Sequence, residues 1–167
     1  MEGQFTHLDA TGRLRMVDVT SKRMTRRTAI ARCVVVTSAD IASLEPRDDE
    51  MDPGLCARIA GVSAAKKTSD FIPLCHTLAL NDVDVVLTRV DHGIEVTTTV
   101  VATQRTGVEM EALMACAFAA LSLLGSLQET DPFARVDELE LLKKEGGRSG
   151  SWGKLVDDAD ATPAPRR

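Results

Sequence analysis

Titratable side chains cluster at the start of an apolar stretch, residues 106–131, that reads TGVEMEALMACAFAALSLLGSLQETD. Glu109, Met110 and Glu111 stand just before a run that is apolar on every side. A carboxylate such as Glu111 then lies either at the rim of a helix or in a pocket, and the pattern favours neither. Glu109 has a structural alternative, because TGVE fits a capping box with Thr106 as the N-cap.

A cysteine and a histidine stand side by side in the segment FIPLCHTL, residues 71–78. A lone histidine such as His76 is more often a satisfied structural residue than a ligand. Two neighbouring ligands, Cys75 and His76, without a second cluster also fall short of a zinc site. The sequence therefore predicts no metal site.

Basic residues fall into three groups, and the group whose pattern best suits anion binding is KKEGGRSGSWGK, residues 143–154. Its glycines allow backbone N–H groups to approach an anion, and its Lys and Arg side chains supply charge, which suits phosphate or carboxylate. The alternative is a basic surface turn. The net charge of -5 and only 3% aromatic residues disfavour nucleic acid, so the three groups favour a small polyphosphate or nucleotide. The other two groups are Lys22 with Arg26 and Arg27, and Lys66 with Lys67.

The elements that must position these residues follow from hydrophobic patterning. Alternating β-branched segments predict strands, and apolar residues at helical spacing predict helices. Their order predicts an α+β, ferredoxin-like β-α-β-β-α-β fold, in which an antiparallel sheet carries two helices on one face. The predicted strands are 27–37, 82–90, 94–103 and 134–144, and the predicted helices are 55–67 and about 107–128.

The chain organisation is predicted as a 1–25 N-terminal arm, a single 26–154 domain and a disordered 155–167 tail. The uncovered sheet face and the apolar second helix indicate an oligomer. No membrane association is expected, because the longest apolar run, Ala112 to Leu121, is shorter than the roughly 20 residues that span a bilayer. Four cysteines without a CxxC pair indicate reduced thiols and a cytoplasmic location.

Four segments carry a family resemblance and occur in order across nearly the whole chain. They are FTHLDATGRLRMVDV (5–19), ARIAGVSAAKKTSDFIPLCHTLAL (57–80), RTGVEMEAL (105–113) and LLKKEGGRSG (141–150). Together they resemble the cyclic pyranopterin monophosphate synthase family of molybdenum cofactor biosynthesis. The resemblance implies a homohexamer, a trimer of dimers, with its pocket at a dimer interface. It also implies a cyclised GTP derivative, made by a radical enzyme, as substrate, a pyranopterin and pyrophosphate as products, and no cofactor.

The resemblance also assigns roles to individual residues. Among the residues that it places at the pocket, the candidate acid–base groups are His76, Glu109, Glu111 and Lys144. It further implies that basic residues face the substrate phosphates. The substrate-binding set that it implies is Leu74, Cys75, His76, Met110, Glu111, Arg27, Lys144 and Arg148, with Glu109 as a further pocket position.

Three catalytic positions of the family are substituted, and Thr77 stands where the family has a proline. Gly125 and Gln128 stand where the family has a catalytic aspartate and lysine, and Glu50 aligns with a second catalytic lysine. Because glycine and glutamine do not titrate, the leading interpretation is a diverged enzyme that kept the phosphate pocket and catalyses a different cyclisation, rearrangement or elimination. One alternative is the ordinary synthase, with Lys143 or a neighbouring subunit supplying the missing groups. The other is a non-catalytic ligand-binding paralogue.

Overall fold

A computed structural model describes residues 8, 11–39, 52–147 and 150–154 of the 167-residue chain. Two residues of the predicted site, Glu50 and Arg148, lie outside the described residues, as does the predicted tail, 155–167. In the described part of the N-terminal arm, the backbone forms a single isolated bridge between Leu8 and Leu14 before the first strand.

The predicted α+β, ferredoxin-like fold is confirmed. The sheet is antiparallel with the order β2-β3-β1-β4-β5, so β1 is central and each long helix connects two strands that are separated by one neighbour. The short helix α2 and the short edge strand β5 were not predicted. The elements are β1 (Thr25–Val36), α1 (Pro53–Lys66), α2 (Thr68–Phe71), β2 (Asp82–Val90), β3 (Gly93–Gln104), α3 (Glu109–Leu127), β4 (Arg135–Glu145) and β5 (Trp152–Gly153).

The two long helices pack closely because small residues line their contact. Ala57, Gly61 and Ala64 on α1 are buried. A Cβ atom added to Gly61 would lie 2.9 Å from the carbonyl oxygen of Ala115 on α3, so only glycine fits there without a shift. One face of β1 is buried beneath α3, through alternate residues from Arg27 to Val35, as the period of two in a strand requires.

The helix α3 is long and apolar enough to cross a membrane by length and composition alone, and half of its most apolar window is buried within the protein. Burial against the sheet and α1 accounts for this apolar character, as in the core helices of globular proteins. The buried residues of α3 are Glu111, Ala112, Met114, Ala115, Cys116, Ala119, Ala120, Leu123 and Leu127.

Because the strands are antiparallel, different elements begin and end at the two ends of the sheet. At one end, which we call the entry edge, β1 begins while β3 and β4 end, since Thr25 pairs with Gln104 and Thr28 with Glu145. The helix α3 begins at this edge, directly after β3. At the other end, the exit edge, β1 ends and β4 begins at the pair Val36–Arg135, and α3 ends.

Candidate functional site

An ion pair at the entry edge joins the sheet to the start of α3. Lys144 lies opposite Ala29 of β1, and its Nζ contacts Oε1 of Glu109, the first residue of α3. Both side chains are largely buried, with 17% and 23% exposed. The carboxylate of Glu109 curls back over Gly107, where any Cβ atom would collide with it. Thus Gly107 leaves the space in which Glu109 reaches Lys144.

The predicted capping box is wrong. The N-cap of α3 is Val108, and no side chain caps the helix. The hydroxyl of Thr106, the predicted N-cap, is buried without a hydrogen-bond partner. The physical reason is the competing partner of Glu109, because an ammonium group holds a carboxylate more strongly than a backbone N–H does. Glu109 is therefore a paired charge and has no capping role.

Arg27 places a guanidinium group beneath the glycine-rich turn. Its residue is only 8% exposed, and its Nη2 donates to the carbonyl oxygen of Arg105 at 3.5 Å. The backbone of Gly147 lies against this guanidinium at a φ of 85°, and an added Cβ atom would overlap Nη1. Among the described residues, no carboxylate forms an ion pair with Arg27. Gly147 thus allows close approach of the backbone to Arg27, and the predicted approach of the glycine N–H groups to an anion stays a prediction.

Glu111 is a buried carboxyl group with an altered acidity. It is 4% exposed, and burial raises its pKa to about 7, although its own backbone N–H stabilises the charged form. The nearby charge of Glu109 raises this pKa further. Burial also raises the pKa of the Cys75 thiol, and the charge of Glu111 adds to that rise. Cys75, Glu111 and Glu109 are therefore electrostatic neighbours, and Met110 lies between the two glutamates on the first turn of α3.

The loop after α2 presents Cys75 and His76. Leu74 adopts a left-handed conformation with φ 65°, which few non-glycine residues do, and the N–H of Cys75 donates to Ile72 at 3.3 Å. Thr77 and Ser69 share a hydroxyl hydrogen bond of 3.0 Å, which ties the loop to α2. Such backbone strain is often found at ligand sites.

The loop that carries His76 lies near the N-terminal arm. The pKa of Asp18 in that arm is held below its usual value, chiefly because the Thr20 N–H donates to its carboxylate at 2.8 Å. The charges of Arg15 and His76 make smaller contributions in the same direction. His76 thus lies within electrostatic reach of Asp18, so the described part of the arm borders the loop.

The sequence model of the MoaC family matches residues 16–147, most of the chain, and this span includes Arg27, the loop with Cys75 and His76, the start of α3 and Lys144. The chain belongs to the MoaC family. It is 48% identical over 155 residues to the cyclic pyranopterin monophosphate synthase 2 of Mycobacterium tuberculosis (strain H37Rv), covering 90% of this chain and 91% of the relative. It is 43% identical over 160 residues to the cyclic pyranopterin monophosphate synthase of Thermomicrobium roseum, covering 93% and 96%.

One copy of this MoaC-family chain does not bring together all the predicted positions. Gly125 and Gln128 are exposed at the C-terminal end of α3, 14 and 17 residues after Glu111. At about 1.5 Å of helix rise per residue, they lie about 21 and 26 Å from it. The described residues of the implied substrate-binding set lie around the entry edge, and the two described departures lie toward the exit edge.

A cavity of about 260 Å³ lies at the exit edge, where no sequence pattern predicts one. Asp131 is only 7% exposed there, and it accepts hydrogen bonds from the Thr37 hydroxyl and from the N–H and hydroxyl of Ser38. These donors lower the pKa of Asp131 to about 2. Because these polar groups satisfy one another, we interpret the cluster as a structural brace. The cavity is lined by Val36, Thr37, Ser38, His92, Asp131, Phe133 and Arg135.

No group of three or more His, Cys, Asp or Glu side chains within the described ranges could hold a metal ion. The sequence pattern assigns Thr106 only a capping role. Its hydroxyl is buried without a partner because of the way the turn before α3 is placed, and no sequence pattern specifies that placement.

Proposed function

We propose that the chain binds a phosphorylated, nucleotide-derived substrate of the cyclised GTP type at the entry edge. There it catalyses an acid–base cyclisation, rearrangement or elimination that differs from the reaction of the ordinary synthase. The observation that carries this proposal is the grouping of three features at the entry edge. They are Arg27, which is buried and forms no ion pair among the described residues, the Lys144–Glu109 pair, and Glu111, a carboxylic acid whose pKa is about 7.

The phosphate part of the proposal depends on Arg27. A buried charge without a counter-charge costs several kcal/mol, so the guanidinium is poised to receive an anion. The N-terminus of α3, which has no side-chain cap, adds its positive dipole end at the same edge. Lys144 supplies a second cation, and its pairing with Glu109 keeps it in place.

The chemical part depends on Glu111. A group with a pKa near 7 is present in both protonation states at neutral pH, which suits a general acid or base. Glu111 would remove or deliver a proton at the substrate ring, with Cys75 and Met110 beside it, while Arg27 and Lys144 hold the phosphates. His76 is a second candidate for proton transfer from the neighbouring loop. No step of this kind requires a redox cofactor.

The substituted positions argue for altered chemistry. General acid–base groups are worth about 10²–10⁴ in rate each, and neither Gly125 nor Gln128 can replace an aspartate or a lysine in that role. Because these positions lie about 21 and 26 Å from Glu111, a site that included both ends of α3 would need a second copy of the chain. We therefore retain the dimer-interface pocket, the homohexamer and a pathway link to a radical enzyme as parts of the proposal.

The ordinary synthase reaction is the second candidate, and the names of the relatives favour it. Two relatives that are 48% and 43% identical are named cyclic pyranopterin monophosphate synthases. The proposed substitute within the chain, Lys143, is poorly placed for this role. It lies opposite Ile30, on the sheet face away from the helices, and pairs with Glu145 at 2.7 Å.

The test combines binding with chemistry. Purified protein is titrated with the cyclised GTP intermediate, and the mixture is then analysed for new products by mass spectrometry. We expect binding and conversion to a product other than the pyranopterin. Arg27→Ala should weaken binding, whereas the matched control Arg26→Ala should leave it unchanged, because Arg26 is exposed on the opposite sheet face. Binding without conversion would indicate the non-catalytic alternative, and an absence of binding would refute the proposal.

A further inference from the structure

Two buried side-chain polar atoms in the described part of the chain have no hydrogen-bond partner, and both belong to the entry edge. They are Nε of Arg27 and Oγ1 of Thr106. The Arg27 guanidinium contacts the carbonyl oxygen of Arg105, the residue directly before Thr106. Each such atom costs roughly 1–3 kcal/mol, so folded proteins retain few of them without a reason.

The hydrogen-bonding character of the two atoms indicates which kind of ligand could bind them. Arg27 Nε is only a donor, and the Thr106 hydroxyl can donate as well. The hydroxyl does not cap α3, whose N-cap is Val108. Two unused donors near a helix N-terminus and near Lys144 are suited to an acceptor that carries negative charge. A phosphoryl group offers several such oxygen atoms within the reach of adjacent donors.

We propose that Thr106 is a further substrate-binding residue, whose hydroxyl donates to a phosphoryl oxygen of the ligand beside Arg27 Nε. This inference rests on the proposed function, because it assumes that a phosphorylated ligand occupies the entry edge. Thr106 adds no charge. Its neutral donor fixes the orientation of a phosphoryl group that Arg27 and Lys144 attract.

The test uses inorganic pyrophosphate as the probe and two matched variants. Thr106→Val replaces the hydroxyl with a methyl group of similar size, and Thr106→Ser keeps the hydroxyl. In calorimetric titrations we expect Thr106→Val to weaken pyrophosphate binding roughly 10- to 100-fold, as for the loss of a hydrogen bond to a charged group. Thr106→Ser should bind within a few-fold of the unaltered protein.

Thermal unfolding without ligand distinguishes binding from structure. Since the hydroxyl is unpartnered, Thr106→Val should melt at the same temperature as the unaltered protein or higher. A lower melting temperature would mean that the hydroxyl has a structural partner and would overturn the inference. Equal pyrophosphate binding by Thr106→Val, or equal losses in both variants, would also overturn it and leave the proposed function standing. If pyrophosphate does not bind the unaltered protein, the inference is overturned, whereas the proposed function is refuted only when the cyclised GTP intermediate also fails to bind.

Discussion

Lys144 at the end of β4 and Glu109 at the start of α3 form an ion pair that joins the sheet to the helix at the entry edge. Because both side chains are largely buried, we expect this pair to be worth more than a surface pair. A double-mutant cycle with Lys144→Met and Glu109→Gln should give a coupling free energy of about 1–2 kcal/mol in denaturant unfolding. The matched control is the exposed pair Lys143–Glu145, which should give less than about 0.5 kcal/mol. Equal coupling in the two cycles would contradict the burial argument.

The buried carboxyl of Glu111 should make stability depend on pH. Its pKa of about 7 in the folded protein lies above the ordinary value of 4.5, so folding favours the protonated form. The cost of burying the charge is absent below pH 4.5, grows as the pH rises, and is complete above pH 7. We expect the free energy of unfolding to fall, relative to Glu111→Gln, by roughly 3 kcal/mol across that range. Denaturant unfolding followed by circular dichroism measures the free energy of unfolding of both proteins at each pH. A difference between the two proteins that stays constant with pH would contradict the prediction.

Two glycines in helices should respond oppositely to alanine. An added Cβ atom at Gly125 meets nothing within 4 Å, so Gly125→Ala should raise the free energy of unfolding by about 0.5 kcal/mol through better helix propensity. At Gly61 the same atom meets the carbonyl oxygen of Ala115 at 2.9 Å, so Gly61→Ala should lower it by about 1–3 kcal/mol. Denaturant titrations of both variants check this. Similar effects of the two substitutions would disprove the close helix contact.

Most of the fold could be predicted because strong local patterns agree with it. The β-branched segment of β1 and the apolar run of α3 each specify an element, and the order of such elements permits few topologies. The short strand Trp152–Gly153 was missed because two residues carry no period. The start of α3 was placed two residues early, because the capping-box pattern does not reveal that Lys144 takes the glutamate.

The site was predicted only as a set of residue types. Their convergence at one edge is a consequence of strand register, which pairs Ala29 with Lys144 and cannot be read from either segment alone. The pKa of Glu111 depends on how completely α3 and its surroundings exclude water, which the sequence left undecided. The roles of the predicted site residues stay predictions.

The central claim is that this chain kept the phosphate-binding edge and changed the chemistry, because Gly125 and Gln128 cannot titrate. Its most direct test is the rate of pyranopterin formation from the cyclised GTP intermediate, measured beside the Mycobacterium tuberculosis relative under the same conditions. We expect this protein to be at least ~10²-fold slower, and the double variant Gly125→Asp with Gln128→Lys to recover part of the rate. A Cβ atom added at Gly125 meets nothing within 4 Å. A rate equal to that of the relative in the unaltered protein would contradict the account.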